Sequence, residues 1–369
     1  MQDNENTPCV ELRNLVKKFD DVTAVDHLNL KVSHGEVFSL LGPSGCGKTT
    51  TLRMIAGLEA MDAGEILIEG RVVNDVPPYR RDCNLVFQNL ALFPHMTVEE
   101  NISYGLERQG VAKDEIRRRV GEMLELVQLT GMEKRYPAQL SGGQQQRIAL
   151  VRSLVLKPKI LLLDEPLAAL DRKLRKDMQG ELKRIQHEVG TTFFYVTHDQ
   201  KVALAISDTI AVLQAGKLEQ VGIPEEIYGA PKTMFVADFM GVANIFLGEV
   251  TARNGGEIQL KTQSGLEIVA AVDQKSTSGD IVGICVHPER VRVLPSETDV
   301  EADNKFGGRI VDMIYQGNVV EMKVHALHTE TDVTITVYLD AGLIERHEHC
   351  VGKEITIQWN PESCSTLEG

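Results

Sequence analysis

The sequence has no apolar run long enough to cross a bilayer. Stretches such as Ile160 to Leu163 are among its longest, against the roughly 20 residues a spanning helix needs. It also lacks an excess of positive charge. Its 39 Lys and Arg face 53 Asp and Glu, a formal net charge of −14, whereas broad nucleic-acid binding needs clustered cations to displace counterions. A nucleic-acid partner is therefore not expected. The six cysteines, at positions 9, 46, 83, 285, 350 and 364, show no paired spacing, which argues against a disulfide framework and suits free thiols in a reducing compartment. The opening Met1-Gln2-Asp3-Asn4-Glu5-Asn6 is polar and acidic rather than basic and then apolar, so no secretory signal is expected and the chain should stay in the cytoplasm. Long-period repeats and low-complexity linkers are missing too, which sets solenoids aside.

What remains is ample material for ordinary cores. With 369 residues, 43% of them hydrophobic, the chain exceeds what one core usually organises, so two domains are expected. Up to about Phe239 apolar β-type runs alternate with helical ones. Glu36 to Leu41 reads as a strand, Lys48 to Gly57 as a helix, and Glu65 to Ile68 as a strand again. Between roughly Asn89 and Leu156 strands vanish, and Ile116, Val120, Met123, Leu124 and Val127 fall at helical spacing. Alternation resumes with Lys159 to Leu163, Lys173 to Val189, Thr192 to Val196 and Ile210 to Leu213. Beyond about Val242 short β segments take over, among them Ile245 to Val250, Gly256 to Leu260, Ile281 to Val286, Val319 to Val324, Val333 to Leu339 and Ile355 to Trp359. The expectation is an α/β domain over 1–240, with a helical subdomain at about 89–157, followed by an all-β barrel domain over 241–369.

The run Gly42-Pro43-Ser44-Gly45-Cys46-Gly47-Lys48-Thr49, continued by Thr50, has P-loop spacing and lies after a strand and before a helix. Its glycines let backbone N–H groups wrap phosphates, Lys48 neutralises β and γ oxygens, and the Thr49 hydroxyl can ligate Mg²⁺. Cys46 within it reads as a small tolerated residue, with redox control a poor second. The strand Ile160 to Leu163 delivers Asp164 and Glu165 side by side. Joined to a P-loop, Asp164 would hold the Mg²⁺ shell and Glu165 would act as general base.

A second phosphate surface comes from Leu140-Ser141-Gly142-Gly143-Gln144, a serine and a glycine pair ahead of a helix read over Gln145 to Leu156. Two such surfaces on one chain make most sense if nucleotide is clamped between facing subunits. Gln88 and His198 each follow a strand and could reach a γ-phosphate, Gln88 touching metal and water and His198 a phosphate oxygen. Either one taken singly is equally an ordinary polar strand end.

Together these residues resemble the ATP-binding subunits of ABC transporters. In that family's terms Gly42 to Thr49 resembles the Walker A loop, Gln88 the Q-loop, Leu140 to Gln144 the signature motif, and Ile160 to Asp164 the Walker B strand with Glu165 behind it. Leu170-Asp171 resembles the D-loop, His198 the switch histidine, and Phe19 the aromatic that stacks on adenine, although an aromatic there is also ordinary core packing. Ala168 departs from the serine many relatives carry ahead of the D-loop aspartate. The resemblance implies a head-to-tail homodimer holding two ATP with Mg²⁺, each ATP bound by Lys48 of one subunit and by Ser141 and Gly143 of the other. It also implies two integral-membrane permease subunits, an extracytoplasmic solute-binding protein acting indirectly, and a peripheral place on the cytoplasmic face of the inner membrane. Asn89 to Met96 would dock the permease, unless it is an internal loop.

The β-rich remainder, with Val286-His287-Pro288-Glu289-Arg290, resembles the OB-like TOBE domain of importers for sugars, polyamines and ferric iron. Lys173 to Gln179 and Ile357-Gln358-Trp359 resemble the spermidine/putrescine branch. Import of polyamine is thus the expected function, with iron or sugar import, or restraint of the ATPase by the β domain, as alternatives. A soluble ATPase acting on ribosomes or DNA would usually show duplicated cassettes or a long coiled coil, and neither is present. His347-Glu348-His349-Cys350 is not expected to bind metal, because on a strand the two histidines share one face and Cys350 points away.

Overall fold

The structure is a computed structural model that describes residues 7–242, 244–254, 256–271, 281–295, 303–342 and 350–367. It divides into two compact units, Met1–Pro224 and Glu225–Gly369.

The first unit runs β1 (Val10–Phe19), β2 (Val22–Val32), β3 (Val37–Leu41), α1 (Lys48–Ala56), β4 (Ala63–Ile68), β5 (Arg71–Val72), β6 (Cys83–Val86), α2 (Val98–Arg108), α3 (Lys113–Leu126), α4 (Gly142–Leu154), β7 (Ile160–Asp164), α5 (Arg172–Val189), β8 (Thr192–Thr197), α6 (Gln200–Ile206), β9 (Thr209–Gln214) and β10 (Lys217–Gly222). Its central sheet has the order β10-β9-β3-β8-β7-β6. All pairings are parallel except that of β10 with β9. Every residue of β3 and β7 is buried, the pattern of strands covered on both faces.

Alternate side chains of those strands feed two different cores. Leu161, Leu163, Phe193 and Tyr195 pack with Ile102, Leu124, Ile148, Val151, Leu182 and Ile185 of the helical layer. Ile160, Leu162, Phe194 and Val196 pack instead with Leu12, Leu15, Leu28 and Leu30 from a second sheet of order β2-β1-β4-β5. That antiparallel sheet is a finding: its two long strands, β1 and β2, were not expected. In β1 two exposed residues, Arg13 and Asn14, are followed by three buried ones, Leu15, Val16 and Lys17, and register shifts break the pairing with β2, so strict alternation is lost. Among the described residues no strand lies between Val86 and Ile160.

The second unit contains α7 (Pro224–Gly229) and α8 (Met234–Phe239), then β11 (Asn244–Asn254), β12 (Glu257–Thr262), β13 (Glu267–Ala271), β14 (Ile281–Val286), β15 (Arg292–Pro295), β16 (Asn304–Tyr315), β17 (Val319–Ala326), β18 (Thr334–Asp340), β19 (Glu354–Trp359) and β20 (Cys364–Leu367). The strands form two five-stranded antiparallel sheets, β13-β12-β11-β14-β20 and β15-β19-β16-β17-β18, around one core. Trp359 lies 6.0 Å from Phe246 and 5.1 Å from Phe306, ring centre to ring centre. Division after Pro224 differs from the change of composition near 240. The reason is packing: Ala237 of α8 clusters with Val242, Cys285 and Leu367 of the β unit. His347, Glu348 and His349 lie outside the described residues, and Cys350 is exposed.

Candidate active site

The loop from β3 to α1 is shaped by close backbone approaches. A Cβ on Gly42 would stand 2.3 Å from the Leu213 carbonyl oxygen, and one on Gly47, whose φ is +100°, 2.2 Å from that of Ala24. Neither position tolerates a side chain. Gly47 caps α1 without a side-chain hydrogen bond, and the first turn carries no acidic residue. The free N–H groups at the start of α1 thus face the loop, as an anion requires. Lys48 is buried, and its Nζ donates at 2.8 Å to each of the Gly42 and Pro43 carbonyls. These neutral acceptors solvate a buried ammonium without cancelling its charge, so the cradle fits a polyphosphate.

One residue further, the Thr49 hydroxyl donates to Asp164 Oδ1 at 3.1 Å. Two oxygen donors meet there, the set a hard Mg²⁺ ion prefers. Burial pushes the Asp164 carboxyl up, Thr49 and the Arg53 and Lys48 charges pull it down, and Glu165 adds to the rise. A dication beside Asp164 would relieve that penalty by favouring the ionised form. The residues fit the metal.

Glu165 follows with φ at +46°, held by its N–H to the Val196 carbonyl at 3.1 Å. This turn swings the side chain to His198, whose Nδ1 lies 2.8 Å from Glu165 Oε1. With the carboxylate ionised, Nδ1–H donates. The D-loop that follows is tied by Arg175, which donates to the Leu170 carbonyl at 3.0 Å and pairs with Asp199 at 3.1 Å. Ala168 leaves that backbone path intact, since its own N–H bonds to the Glu165 carbonyl at 3.1 Å.

Ser141 and its glycines sit elsewhere. The expectation of a helix from Gln145 is corrected: α4 begins at Gly142, because Ser141 caps it in a box with Gln144. Gln144 Oε1 accepts from the Ser141 N–H at 2.9 Å, and Ser141 Oγ accepts from the Gln144 N–H at 3.4 Å. Ser141 and Gly142 are exposed. A Cβ on Gly142 or Gly143 would meet Leu170 or Leu174, not the P-loop. The two phosphate surfaces therefore do not contact each other within one chain.

Gln88 is exposed in the turn after β6 and makes no hydrogen bond to Thr49 or Asp164. Phe19, at the end of β1, is 45% exposed, with Lys17 Nζ 4.8 Å from its ring centre. It is not core packing. Sequence reasoning missed Arg152 and Asn101, which order the segment after Gln88. Arg152 donates to the carbonyls of Leu90 and Ala91 at 3.0 and 2.7 Å, and buried Asn101 bonds both backbone groups of Phe93. The Ser141-x-x-Gln144 capping box, by contrast, was readable in the sequence.

Comparison with known proteins gives the family. Residues 25–168 match the family model described as ABC transporter, and residues 256–367 match the TOBE domain. The spermidine/putrescine import ATP-binding protein of Rubrobacter xylanophilus is 47% identical over 98% of this chain and 94% of its own. That of Acidothermus cellulolyticus is 48% identical over 97% and 94%. Among solved structures, cbiO1 of Clostridium perfringens, part of the ABC transporter complex cbiONQ, superposes with a TM-score of 0.57 at 28% identity, covering 60% of this chain and 91% of that one. The ATP-binding cassette MJ0796, a dimer bound to ADP and Pi after hydrolysis, gives 0.52 at 34% identity over 58% and 98%. This chain belongs to the ABC transporter family, among its TOBE-containing ATP-binding subunits.

Proposed function

We propose that two copies of this chain meet head to tail, close on two ATP molecules, and use their hydrolysis to drive polyamine import through partner permeases. The observation that carries this reading is the separation of the Lys48 cradle from the exposed Ser141 face within one protomer, which a second copy turned end for end would remedy. Polyamine is favoured because relatives nearly half identical over almost the whole chain carry spermidine/putrescine import in their names.

In the closed dimer Lys48 and the α1 amides would hold the phosphates, Ser141 and Gly143 of the opposing copy would complete the enclosure, and Phe19 would stack on adenine. Thr49, Asp164 and Gln88 would hold Mg²⁺, which when bound would supply charge to neutralise the phosphates. Glu165 accepts a proton from the attacking water. The resulting oxygen bonds to the γ-phosphorus while the bond to the β–γ bridging oxygen breaks, leaving ADP and phosphate. Since His198 Nδ1 faces Glu165, Nε2 is the nitrogen left for a phosphate oxygen.

No described helix is long and apolar enough to cross a membrane, so attachment to the cytoplasmic face of the inner membrane would come through the permeases. An extracytoplasmic binding protein would deliver the solute. Uptake of labelled spermidine, ferric iron and maltose in cells lacking this protein tests the assignment. Loss of spermidine uptake alone, restored by the wild-type chain but not by Glu165→Gln, is the expected result. Unchanged spermidine uptake with lost iron or maltose uptake overturns it.

A further inference from the structure

At the end of the central sheet opposite the P-loop, three side chains of different chemistry converge. Cys9 stands just before β1, His34 in the turn between β2 and β3, and Glu69 in the turn between β4 and β5. One thiol sulfur, one imidazole nitrogen and one carboxylate oxygen there all lie within 4.8 Å of one another. We propose that Cys9, His34 and Glu69 form a site for a zinc-class divalent cation, with three protein ligands and a fourth position open to water.

The donor set is the first reason. Sulfur, nitrogen and oxygen from Cys, His and Glu are the ligands of four-coordinate zinc, and three with one open position is a recurring arrangement. The second is an orphaned atom: Glu69 Oε1 is buried and has no hydrogen-bond partner. His34 Nδ1 lies 3.4 Å from it without hydrogen-bond alignment. Two metal bonds of 2.0–2.1 Å at a tetrahedral angle span about 3.3 Å between ligand atoms, so nitrogen and oxygen already stand at the edge of such a tetrahedron. Only the sulfur has to close in, by about 1.3 Å at most.

The ligands hang on fixed backbone. The Glu69 N–H donates to the Cys9 carbonyl at 3.0 Å, which locks the first and last ligands together. Beside His34, Gly35 donates to Thr192 Oγ1 at 2.9 Å and accepts from Gln186 Nε2 at 2.6 Å. Cys9 Sγ reaches the Lys159 carbonyl at 3.6 Å. His34 also lines a cavity of about 410 Å³ shared with Lys157, Lys159 and Thr192, which gives an ion its way in. The two lysines oppose a cation there, and two anionic ligands offset them. Each ion bound replaces the S–H proton with an S–metal bond and releases one proton to solvent. The site lies one strand, the five residues of β3, from the P-loop. It would therefore act as a staple across three separate segments rather than in nucleotide chemistry.

The test uses the full untagged chain without nucleotide, in a background of His347→Ala, His349→Ala and Cys350→Ser so that those residues contribute nothing. One equivalent of Co²⁺ should give four-coordinate ligand-field bands and a thiolate-to-cobalt charge-transfer band, both displaced by one equivalent of Zn²⁺. Cys9→Ser should remove the charge-transfer band. His34→Ala, at a half-exposed position that leaves the fold alone, should weaken Zn²⁺ binding at least about 10-fold. Six-coordinate cobalt without charge transfer, or Zn²⁺ affinity unchanged in both variants, overturns the proposal.

Discussion

His198 Nδ1 lies 2.8 Å from Glu165 Oε1, joining the loop after β8 to the end of β7. The pairing aims the carboxylate proposed as general base. Glu165→Gln removes the base while leaving Thr49, Asp164 and Lys48 in place, so ATP should still bind and turnover should fall by roughly 10²- to 10⁴-fold. Steady-state phosphate release checks the rate, and elution with ATP should shift to a stable dimer. Turnover like the wild type's would remove Glu165 from the role.

The proposed sharing of sites makes a mixing experiment decisive. Ser141→Arg puts a bulky cation on the exposed cap of α4 and should abolish hydrolysis with the melting temperature preserved. Lys48→Ala should do the same from the other side. A mixed dimer of the two variants keeps at most one competent interface, because both lesions fall in the same composite site. A mixture as inactive as either variant alone would show that Lys48 and Ser141 act within one chain and not across two.

Arg152 offers a way to separate transport from nucleotide binding. Its guanidinium holds the Leu90 and Ala91 carbonyls and stands 5.4 Å from the Phe93 ring centre. Arg152→Ala should loosen the segment after Gln88 at a cost of about 1–2 kcal/mol. Spermidine uptake should then drop several-fold while binding of a fluorescent ATP analogue stays within twofold. Equal loss of both would mean that the segment serves the nucleotide site itself.

The thiols predict an alkaline limit. Burial pushes Cys9, Cys83 and Cys285 from the ordinary 9.0 up to about 11, and Cys364 up to about 12. A raised thiol pKa favours the folded chain below pH 9, and that contribution is lost as pH climbs through 11 to 12, because the unfolded chain ionises first. Melting temperature should fall across this window, and Cys83→Ser should flatten the fall. At pH 8 iodoacetamide should label exposed Cys350 well ahead of the other five. Rapid labelling of Cys83 in the folded chain would contradict its burial.

Much of the site was legible because phosphate chemistry constrains neighbours in the chain. The P-loop needs its glycines and lysine contiguous, and Asp164 and Glu165 follow one apolar strand. The antiparallel sheet was harder to read, since register shifts along β1 break the period of two. β16 escaped notice because Gly307 and Gly308 interrupt it. Gly308 is required there, as a Cβ would stand 2.3 Å from Val324 Cγ1. Arg152 and Asn101 carry no local signature at all, since their partners lie on a loop that the sequence leaves without regular structure.

The order of residues alone determined the nucleotide chemistry and the two-part architecture, because backbone amides, a strand end and a hydrophobic period are local properties. Three-dimensional packing decided the rest. It set where the units divide, through the burial of Ala237 against Cys285 and Leu367. It left the Ser141 cap outside the Lys48 cradle, and it gathered Cys9, His34 and Glu69 at one end of the sheet. Each of these depends on distances between segments remote in the chain, and such distances exist only once the strands have paired.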